Sequence, residues 1–171
     1  MVSQSNAKKT VGDAIEYFVS GQHAFVASDA EAQRNLVVRE AKKVLSGKPL
    51  ECISGDSIAN LEDFGKSIVA ASSGLISSIG ARPAIGRLSL SELLSETMSK
   101  FRERGRQGFL VVNHVDRILA LQHSYEIEGA FREIMQRFSD VAVLWIGSNS
   151  AILDIGQSDR PFYLSHRVFW I

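Results

Sequence analysis

The chain has 171 residues, of which 45% are hydrophobic and 22% are charged, and its 19 basic residues balance its 19 acidic ones. This composition is typical of one globular domain and excludes a disordered chain. The balanced charge argues against a surface dominated by attraction to nucleic acid or membrane, although it is compatible with a local patch. The single cysteine, Cys52, excludes a disulfide within the chain and fits a reducing cytoplasm.

No apolar run approaches the roughly 18 residues that suggest a transmembrane helix. The start, MVSQSNAKKTVGD, has two lysines but no hydrophobic stretch after them, so it does not resemble a signal peptide. We therefore expect a cytoplasmic protein without membrane insertion, with residues 1–9 as a disordered tail. The histidines show no spacing typical of metal ligands, so no metal site is predicted.

Helical and strand-like patterns alternate along the chain. In residues 10–20 the apolar positions recur at helical spacing, and Gly21 then marks a helix end. Further helices are predicted over residues 30–47, 58–75, 91–105 and 128–139, and strands over 23–28, 50–54, 109–112, 141–148 and 167–171. Asp56 or Ser57 is expected to cap the helix over 58–75, and Ser89 or Ser91 the next one.

Strands that alternate with helices predict βαβ units, and hence a single three-layer α/β/α domain with a mainly parallel, five-stranded sheet. In such folds ligands bind outside the carboxyl ends of the strands. The candidate site therefore consists of the segments that follow the first four strands, residues 28–34, 54–57, 113–117 and 147–150.

Four stretches resemble parts of a known family: ECISGDSIANLEDFGKSIVAAS (51–72), FLVVNHVDRIL (109–119), VLWIGS (143–148) and GSNSAILDIGQSDRPFY (147–163). In this order they resemble the P-loop ATPase core of the AAA and STAND type, and most closely bacterial and archaeal ATPases with a GS…DRPFY segment. The resemblance covers most of residues 20–171 and implies a P-loop NTPase-like fold for one domain, 1–171. Such ATPases usually continue into a helical lid, which this chain is expected to lack because it stops at Ile171.

The phosphate loop of that family is replaced in this sequence. The pattern G-x-x-x-x-G-K-[ST] binds phosphates through backbone N–H groups, a lysine and a hydroxyl that ligates magnesium, and it is absent here. At the corresponding strand-to-helix junction, ASDAEAQR, its defining positions fall on Ala27, Ala32, Gln33 and Arg34. Asp29 and Glu31 would add like charge beside phosphates. We expect no ATP binding and no cofactor.

The residues for hydrolysis are replaced as well. The resemblance places the metal-holding aspartate on Asn113, the catalytic glutamate on His114, and the sensor position on Ser148 and Asn149. An asparagine offers a neutral oxygen but not the charge of a magnesium ligand. ATP hydrolysis is therefore not expected.

An alternative interpretation of the same segment is a new catalytic cluster of Asn113, His114 and Asp116. The last two would point to one face of an extended strand end, as a base and its orienting residue do. The candidate nucleophiles are Ser28, Ser54 and Ser148, because each also ends a strand. None lies in a G-x-S-x-G elbow, and a structural role as helix caps is the competing explanation.

Two further features indicate partners. The stretch KFRERGRQ gathers Arg102, Arg104 and Arg106 near a helix end, which is explained either by the helix dipole or by a nucleic-acid contact. The interface candidates are Arg160, Phe169 and Trp170. The first resembles a residue near the subunit boundary of related ATPases, and the other two belong to the aromatic types that are favoured anchors of interfaces.

Taken together, these patterns predict a non-catalytic pseudo-ATPase that acts as a protein-binding regulator or inhibitor of a true ATPase or a larger machine. The expected partner is a protein, and a homo-oligomer is compatible with the sequence. One alternative is an atypical enzyme or nucleotide binder that uses Asn113, His114 and Asp116. The other is a nucleic-acid-binding accessory factor that uses the three arginines of KFRERGRQ.

Overall fold

The strand-forming segments are short runs of mainly apolar residues, as strands buried on both faces require. The computed structural model describes residues 4–82, 88–122, 124–137, 139–155, 157 and 167–171. The strands in these ranges are β1 (Ala24–Ala27), β2 (Leu50–Ser54), β3 (Gly108–Asn113), β4 (Val141–Gly147) and β5 (Arg167–Trp170). Each coincides with a strand predicted from the sequence.

The helices in the described ranges are α1 (Gln4–Val19), α2 (Glu31–Val44), α3 (Leu61–Ser78), α4 (Leu90–Glu103), α5 (Val115–Leu119), α6 (Ser124–Arg137) and α7 (Asn149–Ile155), with a 3-10 turn at Gly55–Ser57. The long helices were predicted. The short helices α5 and α7 were not, because neither is long enough to show an apolar periodicity. None of the helices that the structure describes combines the length and the apolar character needed to cross a membrane.

All five strands run parallel, in the order β2-β3-β4-β1-β5. At the carboxyl end of β3, Asn113 lies opposite Ser54 of β2 and Ile146 of β4. At the carboxyl end of β1, Ala27 lies opposite Gly147 of β4. The predicted five-stranded parallel sheet is confirmed, and its order brings the ends of β1 and β3 to either side of the end of β4.

Alternate residues of the strands build one hydrophobic core on each face of the sheet. On one face, Val112 and Trp145 pack with buried residues of α3, α4 and α6. On the other face, Val111 and Leu144 pack with α1 and α2. Because helices cover both faces, the predicted three-layer α/β/α domain is confirmed.

The helix caps follow the sequence only in part. Ser89 caps α4 in a capping box with Glu92, which was one of the two predicted options. The cap of α3 is Asn60, whose Oδ1 accepts a backbone N–H at 2.9 Å. Asp56 and Ser57 do not cap this helix, because both belong to the 3-10 turn that precedes it.

The first helix begins earlier than predicted. Residues 4–9 were expected to belong to a disordered tail, but they form the first turns of α1. Ala7 is buried there and continues the apolar stripe of Val11 and Ala14 toward the start of the helix. An alanine carries little hydrophobic signal, so the sequence pattern did not reveal this extension.

Phe131 tests the core on the face covered by α6. Its side chain is fully buried, and its ring lies edge to face against Trp145 with 4.8 Å between centroids. Phe131→Ala should lower the free energy of unfolding by about 3–5 kcal/mol, because it leaves a cavity. Urea unfolding followed by circular dichroism measures this change. Val69→Ala on α3, where the side chain is 52% exposed, is the matched control and should cost less than about 0.5 kcal/mol. Equal losses would contradict this placement.

Candidate functional site

The carboxyl ends of β1, β3 and β4 meet at one edge of the sheet. In open parallel sheets ligands bind at this edge, where the direction of strand succession reverses. The connections that follow β1, β2, β3 and β4 all reach it. We call the side chains of these four connections, with those of the first turn of α2, the strand-end site.

The connection from β1 to α2 is a tight turn, since only residues 28–30 separate strand and helix. Ser28 is buried, and its hydroxyl donates to Gln33 Oε1 at 2.5 Å and accepts the Ala30 N–H at 3.2 Å. The Arg34 guanidinium donates to the Ser28 carbonyl oxygen at 2.6 Å. The polar groups of this junction therefore bind one another.

The positions predicted to replace the phosphate loop lie in regular secondary structure. Ala27 ends β1, while Ala32, Gln33 and Arg34 lie within the first turns of α2. A phosphate loop instead needs an extended glycine-containing segment whose N–H groups curl around the anion. Residues 28–30 are too few to form such a loop.

Asp29 joins this turn to the start of α7. Its Oδ1 accepts the backbone N–H of Asn149 at 3.0 Å, and its Oδ2 accepts the side-chain N–H of Asn149 at 2.9 Å. The two residues are 120 positions apart in the sequence, so no local pattern predicted the contact. A carboxylate of the same chain thus occupies the donors of this sensor-like residue.

Asp116, in the first turn of α5, binds the other sensor-like residue. Its Oδ1 accepts the Ser148 backbone N–H at 3.0 Å and also the Ser148 hydroxyl. Burial opposes ionisation of the Asp116 carboxyl, but the hydrogen bonds from Ser148 and the charge of Arg34 outweigh it and lower the pKa. Asp116 therefore acts as an ionised anchor between the ends of β3 and β4.

His114 follows β3 in a left-handed conformation, with φ 54° and ψ 47°, which is uncommon for a residue other than glycine. This turn brings the His114 carbonyl oxygen against Gly55, where an added Cβ would lie only 2.1 Å from it. The His114 Nδ1 lies 2.7 Å from Asp56 Oδ2, and Arg117 Nε lies 3.8 Å from Asp56 Oδ1. The ends of β2 and β3 are thereby joined.

Asn113, which the family resemblance aligns with a metal-holding aspartate, is the last residue of β3. It is 9% exposed, and its Oδ1 has no hydrogen-bond partner within the described part of the chain. The group presented here is a neutral amide, whereas magnesium sites use carboxylates. In the ranges that the structure describes, no three His, Cys, Asp or Glu side chains are grouped to hold a metal ion.

An open cleft of about 300 Å³ lies over the strand-end site. Its lining alternates in charge and consists of Glu31, Arg34, Asp56, His114, Asp116 and Arg117. The two arginines face carboxylates of the same cleft, so they are not unopposed cations of the kind that bind polyphosphates. The cleft suits polar contacts better than a highly charged anion.

The predicted catalytic cluster is only partly assembled. His114 and Asp116 both line the cleft, but His114 pairs with Asp56, and Asp116 is bound by Ser148. No described hydrogen bond joins His114 to a serine, although a nucleophile and its base require direct contact. Among the predicted nucleophiles, Ser28 is buried.

The basic stretch lies at the opposite edge of the sheet, just before β3 begins. Arg102 is not a free cation, because its Nη2 lies 3.0 Å from Asp140 Oδ2. Arg104 and Arg106 are exposed to solvent. The three arginines predicted as one patch therefore divide into a paired residue and two exposed ones.

The interface candidates also divide. Phe169 is a core residue, 6% exposed and packed against the ring of Tyr17, so the expectation that it forms an interface is wrong for the chain as described. Trp170 is 48% exposed, because the next residue of a strand points to the other face. Arg160 and the rest of the DRPFY stretch lie outside the described residues.

Comparison with known proteins defines the class of fold. No protein-family model matches the chain, and no curated protein matches it. A Walker-type ATPase of Pyrococcus abyssi superposes with a TM-score of 0.67 and 13% identity, over 99% of this chain and 54% of that one. For Cdc6p from Pyrobaculum aerophilum the TM-score is 0.66 and the identity 16%, over 99% and 45% of the chains. For Drosophila ORC bound to DNA the TM-score is 0.59 and the identity 15%, over 96% of this chain and 91% of that one.

These likenesses show that the chain has a P-loop-ATPase-like fold. At such low identities they show the fold alone. The chain spans about half the length of the first two structures, 54% and 45%. The comparisons therefore do not assign roles to the predicted site residues, and these residues are described by the geometry of this chain.

Gly55 tests the contact between the ends of β2 and β3. Gly55→Ala should lower the free energy of unfolding by about 1–3 kcal/mol, because the new Cβ meets a backbone oxygen that cannot rotate away. Gly65→Ala in α3 is the control, since a Cβ added at this position meets no atom within 4 Å. It should raise stability by about 0.5–1 kcal/mol, as alanine favours the helix. Chemical unfolding measures the stability of both variants. A Gly55→Ala protein as stable as wild type would contradict the contact.

The hydrogen bonds between Asp116 and Ser148, which join the ends of β3 and β4, can be tested by the pH dependence of stability. A carboxyl whose pKa is lowered on folding adds stability above its unfolded pKa of about 3.9, and this stability is lost as pH falls through the folded pKa. Asp116→Asn should therefore cost about 1 kcal/mol at neutral pH and progressively less in acid. Urea unfolding across this pH range measures the difference. Val69→Ala, at a position that is 52% exposed, changes no ionisable group and should leave the pH profile unchanged. Parallel profiles for wild type and Asp116→Asn would refute the linkage.

Proposed function

We propose that this chain is a non-catalytic, ATPase-like core that acts by binding another protein, as a regulator or inhibitor of a true ATPase or of a larger machine. In this proposal the fold is retained as a scaffold for surfaces. Neither bound nucleotide nor a metal contributes to its action.

The observation that carries the proposal is the closed turn between β1 and α2. Residues 28–30 replace a loop that would have to surround phosphates. The side chains of Gln33 and Arg34, which stand where a lysine and a hydroxyl would contact phosphate and magnesium, are bound to Ser28. Binding of a nucleotide would have to break these contacts, and the turn offers no lysine and no glycine-containing loop in return.

The rest of the strand-end site supports the same conclusion. Asp29 holds Asn149, and Asp116 holds Ser148, so the donors that could face a terminal phosphate are taken by carboxylates. Each carboxylate also adds negative charge where an ATP molecule carries its own. Repulsion between like charges in a partly desolvated cleft disfavours the nucleotide further.

Protein contact is supported by apolar surface on both sides of the sheet edge. Trp170 is 48% exposed at the end of β5, and tryptophan is enriched among residues that dominate binding energy. An open groove of about 540 Å³ lies between α1 and α2. Its apolar lining includes the buried side chains of Val11 and Ile15, the half-buried Leu36, and Val44, which is 50% exposed. Exposed apolar patches of this kind often mark interaction sites.

The structural neighbours offer a precedent for such contacts. Drosophila ORC, which this chain resembles in fold, was solved bound to AT-rich DNA and Cdc6. Proteins of this fold class therefore occur in assemblies with other proteins. A core without nucleotide chemistry can still present the surfaces of such an assembly.

Nucleotide titration tests the non-catalytic part of the proposal. Calorimetry with ATP or ADP and magnesium at about millimolar concentration should give no binding heat, because the cleft offers no unopposed cation. The melting temperature should also stay constant, since a ligand stabilises a protein only when it binds the folded state. An ATPase with an intact phosphate loop, measured in parallel, is the positive control. A saturable heat or a nucleotide-dependent melting shift would favour the nucleotide-binding alternative instead.

The regulatory part requires a partner with a measurable activity. Partners captured from the native host should include an ATPase or a machine subunit, and adding the purified chain should change its rate of ATP hydrolysis. Trp170→Ala should weaken this effect about tenfold if Trp170 is an anchor. Leu153→Ala, at a residue that is 60% exposed on α7, is the matched control. No change in rate at saturating amounts of the chain would contradict a regulatory role.

A further inference from the structure

The fold separates the charges of a chain whose net charge is zero. The connections that leave the carboxyl ends of the strands begin with acids: Glu31 in the first turn of α2, Asp56 in the 3-10 turn and Asp116 in α5. The helices that lead into strands end with bases, Lys42 in α2 and Lys100 in α4 among them. The amino-terminal edge of the sheet is therefore the basic edge.

Four cations at one end of that edge form what we call the basic corner, namely Lys42, Lys48, Arg104 and Arg106. All four are exposed. Complementing the helix dipole explains cations in the last turn of a helix. Lys48 and Arg106 lie beyond the ends of α2 and α4, so the dipole does not account for them.

The pairing of β2 with β3 brings the turn that carries Lys48 beside the turn that carries Arg104 and Arg106. Phe109 N–H donates to the Pro49 carbonyl oxygen at 2.9 Å, so the chain at Lys48 lies beside the turn that contains Arg106. Lys48 Nζ also lies 5.8 Å from the centroid of the Phe109 ring. Lys42 and Lys48 line one open cleft of about 500 Å³ against the edge strand β2.

The nearby acids do not neutralise this corner. Asp140 is engaged with Arg102 at 3.0 Å, and Glu103 lies 3.9 Å from Lys100. Glu51 also lines the cleft, but its carboxylate is directed toward α3, where a Cβ added to Gly74 would meet Oε1 at 2.2 Å. In the part of the chain that the structure describes, no ion pair involves any of the four cations of the basic corner.

We propose that the basic corner binds the phosphate backbone of nucleic acid. Exposed lysines and arginines in a row neutralise phosphates and release their counterions, without reading sequence. The surface between them is polar, with Ser46 in the cleft and Gly47 and Gly105 in the turns. Of the leucines in the lining, Leu45 is buried and Leu50 is half-buried, so little apolar surface is left for the centre of a protein interface or for insertion into a membrane.

This inference goes beyond the proposed protein-binding function and does not depend on it. The basic corner lies at the edge of the sheet opposite the strand-end site and opposite Trp170 at the carboxyl end of β5, so a protein bound at Trp170 leaves the basic corner accessible to nucleic acid. The residues also differ from those indicated by the sequence alone. The basic corner includes Lys42 and Lys48, which the sequence did not indicate. It excludes Arg102, because Arg102 forms an ion pair with Asp140.

The test is fluorescence anisotropy of the full chain with a labelled duplex of about 20 base pairs and the matching single strand, between about 50 and 200 mM salt. Binding should weaken with salt along a log–log slope of about −2 to −4, as expected for contacts with a few phosphates. Lys48→Gln/Arg104→Gln/Arg106→Gln should weaken binding at least tenfold and reduce the slope by about 1 for each cation removed. Lys42→Gln/Lys48→Gln, outside the arginine stretch, should also weaken it.

The matched control is Lys8→Gln/Lys9→Gln/Arg39→Gln, which removes the same charge from exposed positions of α1 and α2. Its affinity should stay within about threefold of wild type, since steering by net charge is a weaker effect than direct phosphate contact. Circular dichroism melting confirms that each variant is folded. Three results would overturn the inference: no salt-dependent binding, equal losses in control and corner variants, or binding of phosphatidylserine vesicles or polyglutamate in place of nucleic acid.

Discussion

The contacts between the connections at the carboxyl ends of the strands constrain the rest of this structure. Asp29 reaches Asn149 across β1 and β4, Asp116 reaches Ser148 across β3 and β4, and His114 meets Asp56 across β2 and β3. Each contact joins the ends of neighbouring strands or their turns. Because hydrogen bonds to an ionised carboxylate are stronger than neutral ones, they fix an edge that binding sites usually leave open.

These contacts distinguish this edge of the sheet from the same edge of a nucleotide-binding core. In a nucleotide-binding core, the donors at this edge remain free until phosphate and metal arrive. Here the chain supplies its own anions, and its donors are satisfied when it folds. Acidic residues lie in the connections at this edge, and basic residues such as Lys48 and Arg106 are exposed at the opposite edge.

The sequence was sufficient for the sheet and for the long helices. Runs such as residues 109–112 and 141–148 are mainly apolar. In a chain whose strands alternate with helices, such a run indicates a strand that is buried on both faces. The short helices α5 and α7 were not predicted, because they have too few residues to show an apolar periodicity. The sequence also did not show which of Phe169 and Trp170 is buried, because both are aromatic. Only the packing of Phe169 against Tyr17 shows that Phe169 faces the core.

By itself the sequence determined the fold class and the absence of a G-x-x-x-x-G-K-[ST] pattern, since both depend on residues that are close together in the chain. Only the tertiary structure decided what replaces the phosphate loop. The partners of Asp29 and Asp116 lie 120 and 32 positions away, and no local pattern encodes such distances. The pairing of Arg102 with Asp140 and the proximity of the turns that carry Lys48 and Arg106 depend likewise on which strands are neighbours. Parallel pairing brings together residues far apart in sequence, and this is the physical reason that the chemistry of both edges appears only after folding.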